Sequence, residues 1–284
     1  MALRLAVVTD IHHGPDTRTK CGNAALGLTR DFVEAVNALQ PDAVVELGDR
    51  ISDVDPETDR RLANEIAEVL TEIRCPRFHV NGNHDLENLS VADNAEILGQ
   101  ALDHQVVALG EWDLVLWRAD PRLHSGGKRH LALPDGDIEW LAETLQRAQR
   151  PQLVVSHIPI APNPPVGNYY FERAPHLSAY PESAQVRDIM ACAQVPIVHL
   201  SGHVHWNAVT QAGGVFYLAQ QSLTESFTTL GKPAGAWGCL ELGDSVSWQV
   251  YGEDPLSVTF TPPASRWFKP LQPESHWSSA QAVS

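Results

Sequence analysis

The chain is expected to be an α/β protein, and three observations carry that expectation. Short aliphatic runs alternate with stretches of helical period from the first residues onward. The composition, 284 residues with 43% hydrophobic content, is that of an ordinary globular chain able to bury a substantial core, as one large domain or at most two. Five of the aliphatic runs end in side chains able to bind metal. In open α/β sheets ligands collect at the carboxyl ends of strands, so endings scattered in sequence can converge in space.

The elements follow in order. Leu3 to Thr9 is a first buried strand, and His13 to Asn23 a polar loop. Thr29 is placed to cap a helix running to Leu39, with Phe32, Val33, Val36 and Leu39 on one face and Pro41 as its stop. Ala43 to Leu47 is the second strand, and Gly48 allows the sharp turn that carries Asp49. Asp55-Pro56 opens a second helix with a stripe of Leu62, Ile66, Val69, Leu70 and Ile73, whose Arg60, Arg61, Glu65 and Glu68 read as a solvated face. Arg77 to Asn81 is the third strand. A short helix near Ser90 to Leu98 stops at Gly99, and strands at 106–109 and 112–117 flank Gly110-Glu111 as a hairpin. Asp135 to Gln149 is an amphipathic helix and Pro151 to Ser156 a strand. Then come a proline- and aromatic-rich loop over 158–183, a helix at 182–193, a strand at 196–200, and hairpins around Gly213-Gly214 and Gly243-Asp244. Residues 1–252 are expected to form one domain, and 253–284 a proline- and serine-rich tail or strap.

Charge and cysteine usage narrow the functional classes. A formal net charge of -15 argues against a nucleic-acid polymer or an anionic membrane as partner, because both are gripped through lysine and arginine clusters. Cys21, Cys75, Cys192 and Cys239 lie far apart with no C-x-x-C spacing, which points to neither a zinc ribbon nor a disulfide scaffold. With no signal-peptide pattern and no apolar run approaching the ~20 residues of a membrane span, the expectation is a soluble, cytoplasmic protein without a membrane anchor.

The five endings carry the chemistry. They are Asp10-Ile11-His12, Gly48-Asp49, Gly82-Asn83-His84-Asp85, His157, and Gly202-His203-Val204-His205. Asp10 and His12 stand two apart, which on an extended segment puts both side chains on one side, and His203 and His205 repeat the device. With Asp49, Asn83 and His157 they make seven candidate ligands: too many for one four-coordinate zinc ion, but suited to two divalent transition ions sharing Asp49. Nitrogen and oxygen donors favour manganese, iron or zinc over calcium or magnesium. His13 sits beside a ligand and can touch substrate or solvent. His79 and His199 lie within strands and read as packed and hydrogen-bonded. In the loop, Tyr169, Tyr170 and Arg173 can wall a substrate cleft or pack against a second subunit in a homo-oligomer.

The order D-x-H, G-D, G-N-H-D, a lone H and G-H-x-H, spanning Asp10 to His205, resembles the calcineurin-like metallophosphoesterase family, most closely its small bacterial phosphodiesterases of the cyclic-nucleotide and glycerophosphodiester type. The resemblance implies a two-sheet β sandwich flanked by helices, a four-layer αββα arrangement with the site at one edge. It implies a catalytic domain over 1–252 and two metal ions, manganese favoured. One ion would be held by Asp10, His12, Asp49 and His205, the other by Asp49, Asn83, His157 and His203. His84 would be the non-ligand imidazole that meets the phosphate, with Asp49 and His84 central to catalysis. The implied reaction is hydrolysis of a small phosphodiester by a hydroxide generated between two cations ~3.5–4 Å apart. The alternatives are a phosphomonoesterase, a nuclease, or a non-catalytic scaffold of the same fold. Many relatives carry an acidic residue three positions after the bridging aspartate to orient the histidine. Here Ser52 stands there and Asp53 follows, so the orienting partner is open.

Overall fold

The structure is a computed structural model that describes residues 2–125, 128–162 and 165–264. β1 (Leu3–Val8) shows how the layers arise. Leu3, Leu5 and Val7 face a core shared with the other sheet, while Ala6 and Val8 face helices. A strand covered on both faces reads as an unbroken aliphatic run.

The first sheet has the order β12-β11-β10-β1-β2-β3. β1, β2 (Ala43–Glu46) and β3 (Arg77–His79) are parallel, while β10 (Trp237–Leu242), β11 (Val246–Tyr251) and β12 (Leu256–Phe260) continue antiparallel. The second has the order β4-β5-β6-β7-β9-β8. β5 (Trp112–Leu116), β6 (Gln152–Val155), β7 (Ile197–Ser201) and β9 (Val215–Ala219) are parallel, and β4 (Gln105–Leu109) and β8 (Ala208–Ala212) close the edges antiparallel. Trp112, Leu114, Leu153, Val155, Val198 and Leu200 meet the inner face of the first sheet and Trp248. Outside the first sheet lie α1 (Ala25–Leu39) and α2 (Pro56–Leu70), through Phe32, Val33, Val36, Ile66, Val69 and Leu70. α3 (Val91–Leu98) packs on α2. Outside the second sheet lie α4 (Asp135–Arg147) and α5 (Ser183–Ala191), through Ile138, Leu141, Leu145, Val186 and Met190. The result is the expected two-sheet sandwich between helical layers.

Local chemistry explains most boundaries. Asp55 accepts from the backbone of Glu57 and Thr58 at the start of α2, Ser90 and Asp93 form a capping box on α3, and Gly99 ends α3 in the left-handed conformation. Three expectations need correction. Thr29 is not a cap: α1 begins a turn earlier at Ala25, whose carbonyl accepts the Thr29 hydroxyl at 2.8 Å. The helix extends there because Ala25, Leu26 and Leu28 continue its apolar stripe against the sheet. Residues 253–284 do not begin as a tail, since Leu256–Phe260 forms the edge strand β12, with Phe260 stacked on Phe216 across the sandwich. Trp267, Phe268 and Trp277 lie outside the described residues. Glu65 is not simply solvated, because its Oε2 lies 2.6 Å from His13 Nε2. Among the described residues no helix is long and apolar enough to cross a membrane.

Candidate metal centre

Every sequence-predicted ligand lies just beyond the carboxyl end of a parallel strand: Asp10 and His12 after β1, Asp49 after β2, Asn83 after β3, His157 after β6, His203 and His205 after β7. Both parallel runs point the same way, so the five loops meet at one edge of the sandwich. The loops are tied to each other through the backbone. Asp10 N–H donates to Gly48 O, His12 N–H to Asp49 O and Gly202 N–H to His157 O, at 2.9–3.0 Å. Gly48 makes its turn at φ 94°. Gly82 passes so close to Asp49 that a Cβ there would collide with its carboxylate. Asp85 accepts from the N–H groups of Asp49, Arg50 and Gly82 at 2.8–2.9 Å, welding the second and third loops. Behind them the buried Arg50 guanidinium reaches Glu46, Asp85, Asn81 and Asn94, and Glu46 also holds His79.

The extended-segment reading of the paired ligands does not hold. Asp10, His12, Asp49, His203 and His205 all have positive φ, between 48° and 68°. β1 ends at Val8, and the pairs converge because each ligand sits on left-handed backbone, not because strand alternation aligns them. Non-glycine residues in that region cost of order 1–3 kcal/mol each and cluster at functional sites.

Two donor groups result. Asp10, His12, Asp49 and His205 each offer an atom within 4.8 Å of the others, as do Asp49, His157 and His203. Asp49 belongs to both. Its Oδ2 lies 3.3 Å from His157 Nε2 and 3.7 Å from His12 Nε2, while Oδ1 accepts the His84 N–H at 2.8 Å. The outer atoms of the donors are already used. Asp10 Oδ2 accepts from Thr9 Oγ1 and His203 N–H, His157 Nδ1 donates to Leu47 O, His203 Nε2 to Leu177 O, and His205 Nδ1 pairs with Glu225. What remains is Asp10 Oδ1, Asn83 Oδ1 and His157 Nε2, buried without hydrogen-bond partners, and the Nε2 atoms of His12 and His205 only 3.0 Å apart. Buried acceptors left over around a shared carboxylate, with Asp10, His157, His203 and His205 oriented by outer partners, fit divalent cations.

Without cations, protons take their place. Burial disfavours a charged imidazole, but at His157 Asp49 outweighs it and holds the ring's pKa at about 9. At His205 Asp10 and Glu225 do the same, also to about 9. Burial, reinforced by His157, drops His203 to about 3. Against the cost of its own burial, His157 and then His84 hold Asp49 well below the usual carboxylate range. Both raised values exceed the ordinary 6.5, so the two protons stabilise the metal-free fold below about pH 6.5. That contribution is lost as pH rises through about 9. Metal loading at pH 7 is therefore expected to release about two protons per chain, declining toward zero above pH 9. Calorimetric titration in buffers of different ionisation enthalpy measures this, and a release near zero at pH 7 would contradict it.

A cleft of ≈ 390 Å³ opens over the centre, lined by Asp49, Asn83, His84, His203 and His205 and walled by Lys20, Asp53, Leu123, Tyr170, Phe171 and Leu177. His84 Nδ1 is bound to Asp53, which resolves the open partner, and its Nε2 faces Lys20 Nζ at 3.4 Å. Of the expected substrate contacts only Tyr170 lines the cleft, hydrogen-bonded to Thr19 and edge-on to His205. Tyr169 is 56% exposed against Phe227, Arg173 is exposed away from the cleft, and His13 turns to Glu65. Sequence reasoning missed Lys20 and Glu225. Both sit in polar loops with no spacing that marks them.

The chain matches the family described as calcineurin-like phosphoesterase over residues 3–207. No curated protein matches it. Among solved structures it is similar to a dimetal phosphatase from Danio rerio, at 17% identity, TM-score 0.72, covering 92% of this chain and 99% of that one. A purple acid phosphatase from yellow lupin seeds is 11% identical with TM-score 0.58, covering 92% and 53%. The protein TT1561 of Thermus thermophilus is 12% identical with TM-score 0.56, covering 89% and 100%. At such identities the likeness is one of fold.

Proposed function

The chain belongs to the calcineurin-like phosphoesterase family, and from that premise we propose that it hydrolyses a small phosphodiester, a cyclic nucleotide or glycerophosphodiester for instance, to a monoester and an alcohol, using two divalent transition ions with manganese favoured over iron and zinc. The observation that carries the reading is Asp49, whose carboxylate is common to two buried donor groups. When bound, the ions supply positive charge at the phosphate and an acidified water. The remaining work falls to the chain's own residues.

His84 is placed for proton transfer. It lies outside both donor groups, Asp53 fixes its Nδ1, and Nε2 is left at the cleft, where a protonated ring would deliver a proton to the departing alkoxide oxygen. Such a step contributes typically 10²–10⁴ in rate. Tyr170, Phe171, Leu123 and Leu177 give the cleft an apolar wall for the organic arms of an ester and exclude water around them. Its volume lies at the low end of small-ligand sites, which suits a compact substrate.

A monoester reading has one observation in its favour: Arg18, Lys20 and Arg129 line the cleft and offset locally the acidic balance of the whole chain. A direct comparison decides. At matched metal loading, kcat/KM for a bis-aryl phosphate is expected to exceed that for the aryl monophosphate at least tenfold, and natural diesters are expected to follow the bis-aryl compound. The reverse ratio would replace the diester by a monoester and leave the two-metal hydrolase standing.

A further inference from the structure

Lys20 is buried, at 8% exposure, yet it lines the cleft. A lysine ammonium has three donors. Among the described residues Nζ makes no ion pair, and its one hydrogen-bonding neighbour is His84 Nε2 at 3.4 Å. Burying an ammonium without an anion is costly, and His84 cannot relieve that cost when it is itself protonated. Two donors from separate loops thus converge on one point of the cleft with no acceptor between them.

The loop that carries Lys20 is held from three sides. Thr17 and Lys20 exchange backbone hydrogen bonds at 2.9–3.0 Å, and Cys21 N–H donates to Thr224 O. Ser226 Oγ donates to Thr19 O, and Thr19 Oγ1 meets the Tyr170 hydroxyl. Glu225, between these anchors, is the residue that holds His205, so one segment fixes the position of Lys20 and of a candidate ligand together. Burial lowers the pKa of the ammonium below the usual lysine value, and Asp49, Asp53, Asp10 and Glu225, none within ion-pairing distance, only partly oppose that shift.

We propose that Lys20 is a catalytic residue of this site: its ammonium, set beside His84, binds a phosphoryl oxygen of the substrate through the hydrolysis. This rests on the reading of the centre as a phosphoesterase. The alternative is a structural counter-charge for the surrounding carboxylates. That role would bring Nζ within ion-pairing distance of one of them, which it is not.

Lys20→Met keeps the aliphatic stem and removes the charge, and Lys20→Arg restores a cation. On metal-loaded protein, Lys20→Met is expected to weaken inorganic phosphate binding at least tenfold by calorimetry and to lower kcat/KM about 10²–10³-fold, the range for loss of one donor to a developing oxyanion. Metal content should stay at the wild-type value and the thermal midpoint should not fall below it, and Lys20→Arg should recover most of the phosphate affinity. If Lys20→Met fails to fold, Lys20→Gln carries the same comparison. Wild-type phosphate affinity in the neutral variant, with the parent enzyme active, overturns the role of Lys20 alone. A parent protein that hydrolyses no phosphoester under any of the three metals overturns the reading of the centre, and Lys20's role with it.

Discussion

Asp49→Ala is expected to leave well under two metal ions per chain and to reduce hydrolysis to the uncatalysed background. Three functions meet on this carboxylate. Oδ2 faces His12 on one side and His157 on the other, and Oδ1 holds the backbone of His84. Its loss strips both donor groups of their shared charge and frees the residue proposed to donate the proton. Asp49→Asn separates these effects, because an amide keeps the shape and an acceptor for the His84 N–H but not the charge. Metal analysis of protein purified without chelator is the measurement. Two ions retained by either variant would exclude Asp49 as the bridge.

His84→Ala should give the opposite pattern. Metal content should hold at the wild-type level, because the side chain belongs to neither donor group. The rate should fall about 10²–10⁴-fold on esters with alkoxide leaving groups and less on activated aryl esters, which depart with little need of a proton. Steady-state kinetics on a matched pair of substrates reads the difference. Equal losses on both substrates would assign His84 to phosphate binding rather than to proton delivery, and a fall in metal content would make it a ligand.

The layer architecture and the ligand set were legible because they rest on short-range signals. Aliphatic runs such as Leu3–Val8 and Ala43–Glu46 announce buried strands, and each run ends in a recognisable polar residue. What was not legible depends on long-range placement. Glu225 meets His205 and Lys20 meets His84 only after distant loops close. The substrate-side residues failed for a related reason: loop 158–183 contains many aromatics, and composition alone cannot say that Tyr170 and Phe171 face the cleft while Tyr169 and Arg173 do not. Asp53 is intermediate. It stood one position from where the resemblance placed an acid, and only the backbone path decides that its carboxylate reaches His84. Thr29 misled because a residue with good capping chemistry can equally turn its hydroxyl back to the preceding turn of a helix.

The left-handed backbone at Asp10, His12, Asp49, His203 and His205 sets stability and function against each other in this chain. Glycine would relieve the backbone strain at each position, but only by removing a side chain able to bind the ions and, at Asp10, Asp49 and His205, one that also ties a neighbouring loop through a hydrogen bond. Proteins are commonly easy to stabilise at the expense of a strained site. Here the strain is concentrated in five residues, and bound metal offsets it by adding the free energy of ligation to the conformation that is otherwise disfavoured. Selection for stability in this fold is therefore best run with its ions present, because backbone relief at this edge comes only with the loss of a ligand.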